Sequence, residues 1–430
     1  MAIRPRLTFF QKHFTKPIDQ DPEKEKRADN RHFTFFSHGS LLVGAVMLFI
    51  LVGIIAAAVA VTLDRHNQQH DTDLQPHKNL SPIRLAVLEN FPDPTLWYND
   101  GTYYAFATNN AAGILEQPKN FSAYQYGTSN VQIATSTNFV NWTLLTSEHD
   151  PLPDIGKWVT HGLTKGKTPI PKSAVWAPGV IQRKTDNKLL MYYSASAHAE
   201  GNATTGAHVT AKGRHPVPHC IGAAVSSTSD PAGPYDPVPE PLACPIAQGG
   251  AIDPAPFADK DGTLYLTYKI DGNNIGHGGL CGNTRAPIVP TPLKLQKLAP
   301  DGLTPLAAPI TILDRTASDG PLIEAPALIR SHEGIYFLFY SSGCTRSPTY
   351  NVKYATADTV TGPYTRSATT PVLQSGAWGL EAPGSVGVHE DASGGFRMVF
   401  HARVKAEMGR VRAMFSTGLV FEGRNVSLVR

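Results

Sequence analysis

Three carboxylates in this chain stand beside prolines, each just ahead of an aromatic, strand-like run. They are Asp93 in Phe91-Pro92-Asp93-Pro94, Asp253 in Ile252-Asp253-Pro254 and Glu324 in Ile323-Glu324-Ala325-Pro326. The same kind of junction recurs in Val175-Trp176-Ala177-Pro178, without an acid, and in Leu380-Glu381-Ala382-Pro383. A phrase that returns every 60 to 85 residues or so marks a structural repeat. Acids at equivalent points of repeated units can converge on one axis. Two such carboxyls suit cleavage of a glycosidic bond: one, protonated, serves the leaving oxygen, and one, ionised, activates water or attacks carbon. A third acid nearby raises its neighbour's pKa by like-charge repulsion and keeps the donor protonated. The plainer reading of any single Asp-Pro is a turn or strand entry with the Asp capping local backbone. Acids set among Phe91, Ile252 and Ile323 are costly to bury without a task, and three together favour the chemical reading.

Short alternating runs separated by turn signals must position these acids. Asn99-Asp100-Gly101, Asp261-Gly262 and Glu333-Gly334 predict hairpins joining Thr95–Tyr98 to Thr102–Thr108, Pro256–Ala258 to Leu264–Lys269, and Ala327–Ser331 to Ile335–Ser341. Further strands follow at Val131–Ser136, Trp142–Leu145, Gly222–Ser227, Leu293–Leu298, Ile310–Leu313 and Val352–Thr356. No amphipathic segment of helical length interrupts them. Five hairpin-plus-two-strand units predict an all-β, five-bladed β-propeller, with each innermost strand beginning at its proline junction. A β-sandwich or two stacked β domains is the alternative. Only 17% of the 430 residues are charged, with 37 Gly and 35 Pro, a composition that fits a turn-rich β protein. The net charge of +3 implies no nucleic-acid partner.

Leu41 to Leu63 is a 23-residue run without a charge, long enough to cross a bilayer. About 40 residues precede it, which favours a signal anchor over a cleaved signal peptide. Lys24, Lys26, Arg27 and Arg31 lie before the span and only Arg65 and Lys78 shortly after it, predicting a single-pass type II membrane protein with a lumenal or extracellular C-terminal part. The sequons at Asn79, Asn120, Asn141, Asn202 and Asn425, and all four cysteines, lie beyond the span. Pairing by proximity gives Cys220–Cys244 and Cys281–Cys344, with free buried thiols as the alternative; no spacing suggests zinc. The expected organisation is a disordered tail at 1–40, the anchor at 41–63, a polar linker at 64–85 and the propeller at 86–430.

From about residue 88 onward, P-D-P, V-W-A-P, I-D-P after Gly-Gly and E-A-P in this order resemble family 43 of the glycoside hydrolases, five-bladed propeller enzymes that cleave arabinans, xylans and arabinoxylans with inversion. The resemblance implies Asp93 as general base, Glu324 as general acid and Asp253 as the acid that tunes and orients it. Inversion implies carboxyls about 6.5–9.5 Å apart. It implies exo-acting α-L-arabinofuranosidase or β-xylosidase activity. Endo-arabinanase, a fructan-active propeller and a non-catalytic carbohydrate-binding propeller are the alternatives. Trp176 stacks on a sugar or plugs two blades, and Trp97 is read as core. His401 matches the family's channel histidine, near a structural calcium or a water cluster, with a satisfied core histidine as the alternative; no cofactor is required. Arg346 and Arg403 are candidate sugar donors. Glu381 contacts substrate or repeats a turn phrase. The Gly-rich stretch 272–283 lacks a phosphate-loop Lys-Ser/Thr and reads as a loop near the site. His198, His208, His215 and His219 read as part of a solvated insertion. The expected partners are a carbohydrate and, through the N-terminal helix, a membrane; the propeller itself is expected to be monomeric.

Overall fold

Turn chemistry sets the strand boundaries. Asp100 and Gly101 both have positive φ (45° and 80°), as a two-residue type I′ hairpin requires, and Thr95–Asn99 folds back on Thr102–Ala107 with Asn99 facing Thr102. The computed structural model describes residues 81–111, 126–160, 172, 174–197, 218–368, 371–404 and 411–430, with the backbone of 164–165 and 168–169. All of them belong to one unit, Leu80–Arg430. Their main sheets are five antiparallel meanders. Blade one is 95–99, 102–107, 132–136 and 143–144; blade two is 175–182, 189–196, 219–226 and 235–237; blade three is 251–258, 264–270, 293–297 and 310–313. Blade four is 323–330, 336–342, 351–357 and 365–366, with 373–374 also on its third strand. Blade five is 381–390, 396–403 and 412–422. Its outer position is shared: Arg84–Val87 pairs with one half of Arg412–Glu422 and Asn425–Val429 with the other. The strand Arg84–Val87 thus begins inside the stretch expected to be linker.

Closure of the ring is visible in the core. Apolar side chains gather in five clusters among the described residues, one between each pair of neighbouring blades. Phe106, Ile133 and Met191 join blades one and two; Leu190, Leu266 and Tyr268 join two and three; Tyr265, Leu293 and Leu338 join three and four. Phe337, Phe339, Phe396 and Phe400 join four and five, and Phe91, Ala105, Val399 and Met414 join five back to one. An open stack of five blades would have four such seams. The second strands of blades three and four, Leu264–Ile270 and Tyr336–Ser342, are buried at every position because both of their faces meet a neighbour. Truncating one of these phenylalanines to alanine costs about 3–5 kcal/mol.

The proline junctions have an architecture the sequence conceals. Asp93, Ala177, Asp253 and Ala325 each precede a proline and each have positive φ, between 42° and 58°. A residue before proline favours extended backbone, so each stores strain of about 1–3 kcal/mol. In blades two, three and four the strand does not begin at the proline but runs through it as a β-bulge. Two residues there oppose one aromatic: Ala177-Pro178 faces Tyr193, Asp253-Pro254 faces Tyr268 and Ala325-Pro326 faces Tyr340. The fifth member of this ring is not Ala382-Pro383. It is Ser385-Val386, with Ser385 at φ 53° and the pair opposite Phe400. Glu381-Ala382-Pro383 is a second bulge a few residues upstream.

A side chain from the preceding blade pins most of these strained backbones. Ala177 N–H donates to Thr108 Oγ1 (2.9 Å), Asp253 N–H to Ser194 Oγ (3.0 Å), Ser385 N–H to Ser341 Oγ (2.8 Å) and Asp93 N–H to His401 Nδ1 (3.0 Å). Each acceptor sits within two residues of the end of its blade's second strand. A hydrogen bond nets about 0.5–1.5 kcal/mol, enough to offset much of the strain at one junction.

Both expected disulfides, Cys220–Cys244 and Cys281–Cys344, are formed. Among the described residues no helix is long and apolar enough to cross a membrane, and the 41–63 span lies outside them, as do the tail at 1–40 and most of the linker. Asn141 and Asn425 are exposed, whereas Asn79, Asn120 and Asn202 lie outside the described residues.

Candidate active site

Asp93, Asp253 and Glu324 come from blades one, three and four and line one cavity of about 190 Å³, together with Trp176, Thr345, Tyr350 and Arg412. They do not occupy equivalent positions. Asp93 and Asp253 are the strained residues immediately before proline, whereas Glu324 stands one residue earlier, ahead of strained Ala325. The bulge re-aims neighbouring side chains, so a longer acid one position back and shorter acids at the bulge reach the same space.

Asp93 is held as an anion. Thr108 Oγ1 donates to its Oδ2 at 2.6 Å, and Arg412 Nη1 lies 3.1 Å from Oδ1 and 3.4 Å from Oδ2. Burial pushes the carboxyl up, but the Arg412 guanidinium, aided by Thr108, outweighs it and holds Asp93 well below the usual carboxylate range. His401 is fully buried, and burial lowers its pKa, leaving a neutral ring whose Nδ1 accepts the Asp93 N–H.

The other two acids form a different environment. Asp253 Oδ2 accepts the N–H of Ala325 at 2.9 Å. Burial first, and the nearby charge of Glu324 second, raise Asp253 well above the ordinary range, so this side of the cavity is disposed to retain a proton. Glu324 receives the Tyr350 hydroxyl on Oε1 at 2.8 Å and the Lys269 ammonium on Oε2 at 2.9 Å. Lys269 is itself wholly buried and also reaches Asp271 Oδ1 at 3.0 Å. Burial disfavours its charge, yet Asp271, Glu324 and Asp253 outweigh that and keep it a cation. The cavity thus pairs an ionised Asp93 on one wall with a proton-retaining Asp253, beside Glu324, on the other.

Trp176 lines the cavity with one face backed by His219, the ring centroids 3.9 Å apart and nearly parallel. His219 is therefore not loop: it opens the strand His219–Ser226 and is buried, while His198, His208 and His215 lie outside the described residues. Trp97 is half-buried, packed against the apolar clusters that join blades one to two and two to three, and it also lines a second cavity. Three expected sugar contacts do not line the cavity. Arg346 is exposed and does not line the acids' cavity, whereas its neighbour Thr345 does. Glu381 is exposed because its proline phrase belongs to the upstream bulge. Arg403 lies behind the wall, donating from Nε to the Thr345 carbonyl at 3.1 Å. Among the described residues no group of three or more His, Cys, Asp or Glu side chains is placed so as to hold a metal ion.

Five site residues escape sequence reasoning: Thr108, Lys269, Thr345, Tyr350 and Arg412. Lys269 leaves one signal, a cation ending the otherwise uncharged strand Leu264-Tyr265-Leu266-Thr267-Tyr268, where a buried charge demands a counter-charge. The Gly-rich loop 272–283 is near the site as expected, since the Cys281–Cys344 disulfide ties it to the segment carrying Thr345 and Tyr350.

Comparison with known proteins agrees with this geometry. The chain is 26% identical over 254 residues to an extracellular endo-α-(1→5)-L-arabinanase of Thermotoga petrophila, covering 56% of this chain and 47% of that protein. It is 24% identical over 350 residues to an arabinoxylan arabinofuranohydrolase of Bacillus subtilis, covering 75% of this chain and 57% of that one. The chain thus spans about half the length of the curated relatives it matches. A thermostable family-43 glycoside hydrolase of known structure superposes with a TM-score of 0.58 at 22% identity, over 79% of this chain and 92% of that one, which establishes the propeller fold. Residues 83–429 match the glycosyl hydrolases family 43 throughout, and the chain belongs to that family.

Proposed function

We propose that this protein hydrolyses a glycosidic bond with inversion. The observation that carries the reading is the convergence of Asp93, Asp253 and Glu324 from three blades on one small cavity, with Asp93 ionised and Asp253, opposite it, disposed to keep a proton. In this mechanism Asp93 takes a proton from a water as its oxygen attacks the anomeric carbon. Glu324 donates a proton to the leaving oxygen while the old C–O bond breaks, and the new bond forms on the opposite face. Asp253 shares its proton with Glu324 as a coupled pair and fixes the backbone beside it. Trp176 offers an apolar face to the sugar, and Thr345 Oγ1, buried without a partner among the described residues, offers a hydrogen bond.

The substrate is a glycan carrying arabinofuranose or xylose. The relatives' activities on arabinan and arabinoxylan support this, and a cavity of about 190 Å³ suits removal of one terminal sugar more than passage of a polymer. The apolar 41–63 run would anchor the enzyme as a type II membrane protein with the propeller lumenal or extracellular. The test is incubation of the purified protein with nitrophenyl arabinofuranoside, nitrophenyl xyloside, linear arabinan and fructan, with Glu324→Gln as control. Turnover that falls sharply in the control, most of all on the natural linkages, supports the reading. Sugar binding without turnover in the native protein sinks it.

A further inference from the structure

The ring of pinned junctions has one irregular member, and it stands beside the proposed acid. In four of the five blades the residue at the pin position can accept a hydrogen bond: Thr108, Ser194, Ser341 and His401. Blade three carries Lys269 there. Its register opposite Ile252 matches that of Ser194 opposite Trp176 and Ser341 opposite Glu324. An ammonium has three donors and no acceptor, so it cannot bind the Ala325 N–H as the rule requires. Two contacts replace the missing one. The Asp253 carboxylate takes the Ala325 N–H at 2.9 Å, and the freed Lys269 Nζ reaches Glu324 Oε2 at 2.9 Å. Asp271 holds the ammonium from behind at 3.0 Å.

We propose that Lys269 is a positioning residue that replaces a backbone pin in order to hold Glu324 and to set the upper pH limit of turnover. This rests on Glu324 being the proton donor, as proposed above. The groups facing Glu324 are Lys269 with Asp271 behind it, the Tyr350 hydroxyl, Asp253, and Asp93 beyond Asp253. Lys269 is the cation among them in direct contact. Lys269 works against the upward push on Asp253, and an ammonium in contact with a carboxyl favours loss of its proton by about 1–3 pH units.

The experiment measures kcat/KM against pH for the full chain and for Lys269→Ser, Lys269→Met and Lys269→Arg, with thermal melting of each. Lys269→Ser restores the hydroxyl found in blades two and four and gives a variant with a built-in route to folding. The alkaline limb is expected to move up by about 1–3 units in Lys269→Ser and Lys269→Met, and to stay in place in Lys269→Arg. A purely structural lysine would lower the melting temperature and leave the limb where it was, which overturns the proposal, as does an unmoved limb in Lys269→Ser alone if Lys269→Met does not fold. A native protein inactive on every glycoside above would instead overturn the reading of the site.

Discussion

Replacing Arg412 with glutamine tests the electrostatics of the proposed base directly. Arg412 Nη1 lies 3.1 and 3.4 Å from the two Asp93 oxygens, and the paired side chains are only 22% and 17% exposed. For unit charges about 4 Å apart at an effective dielectric near 20, the attraction is about 4 kcal/mol. Partial exposure and the surviving Thr108 contact reduce the net loss to about half, or ~2 kcal/mol, which is about 1.5 pH units of Asp93 ionisation. Asp93 is a depressed carboxyl, so its ionised form stabilises the fold above the ordinary value of about 3.9, and that contribution is lost as pH falls through the native value. Two measurements follow. The acidic limb of kcat/KM should move up by about 1.5 units in Arg412→Gln. In urea unfolding the variant should be about 2 kcal/mol less stable than the native protein at pH 7, with the gap closing only as pH falls through the folded-state Asp93 values, well below the ordinary carboxylate range. An acidic limb superimposed on the native one, with turnover reduced equally at every pH, would refute the argument and leave Arg412 a sugar contact.

Removing either reacting carboxyl should cost about 10²–10⁴-fold in turnover, with a difference in kind. Glu324→Gln should retain more activity on nitrophenyl glycosides than on natural linkages, because a good leaving group needs little protonation; Asp93→Asn should be equally poor on both. Cys281→Ser opens the cross-link between blades three and four, whose partners are 63 residues apart, and should lower unfolding free energy by about 4 kcal/mol in denaturant titration. The shorter Cys220–Cys244 cross-link, whose partners are 24 residues apart, should cost slightly less. A Cβ on Gly384 would overlap the Tyr350 ring, so Gly384→Ala should displace the hydroxyl from Glu324 and reproduce the kinetic defect of Tyr350→Phe; native kinetics in Gly384→Ala would argue against it.

The repeat and the acids were legible in the sequence because both depend on local chemistry. Turn pairs such as Asp100-Gly101 and alternating runs such as Leu264–Lys269 specify hairpins within a few residues. The identity of Asp93, Asp253 and Glu324 followed from carboxylates set among apolar neighbours. What was not legible depends on register. Glu381-Ala382-Pro383 has the same letters as Glu324-Ala325-Pro326, but blade five inserts a second bulge and places Ser385 in the ring instead. Similarly, Thr108, Tyr350 and Arg412 reach the cavity from segments distant in sequence, and no local pattern distinguishes them from other strand-end residues. Arg346 and Thr345 are neighbours in sequence with opposite surroundings, a difference only packing decides.

The strand that begins with Arg412 is gripped along its length by two segments from opposite ends of the ring, Arg84–Val87 and Asn425–Val429. Arg412 is also the counter-charge of Asp93, which lies only a few residues beyond the first of those segments. During synthesis Asp93 emerges early, more than 300 residues before its partner. A nascent or nicked ring therefore contains the base but not the environment that ionises it. On the proposed function, catalytic competence and completion of the clasp become one event, and hydrolytic activity would report that the strand carrying Arg412 has been made and captured.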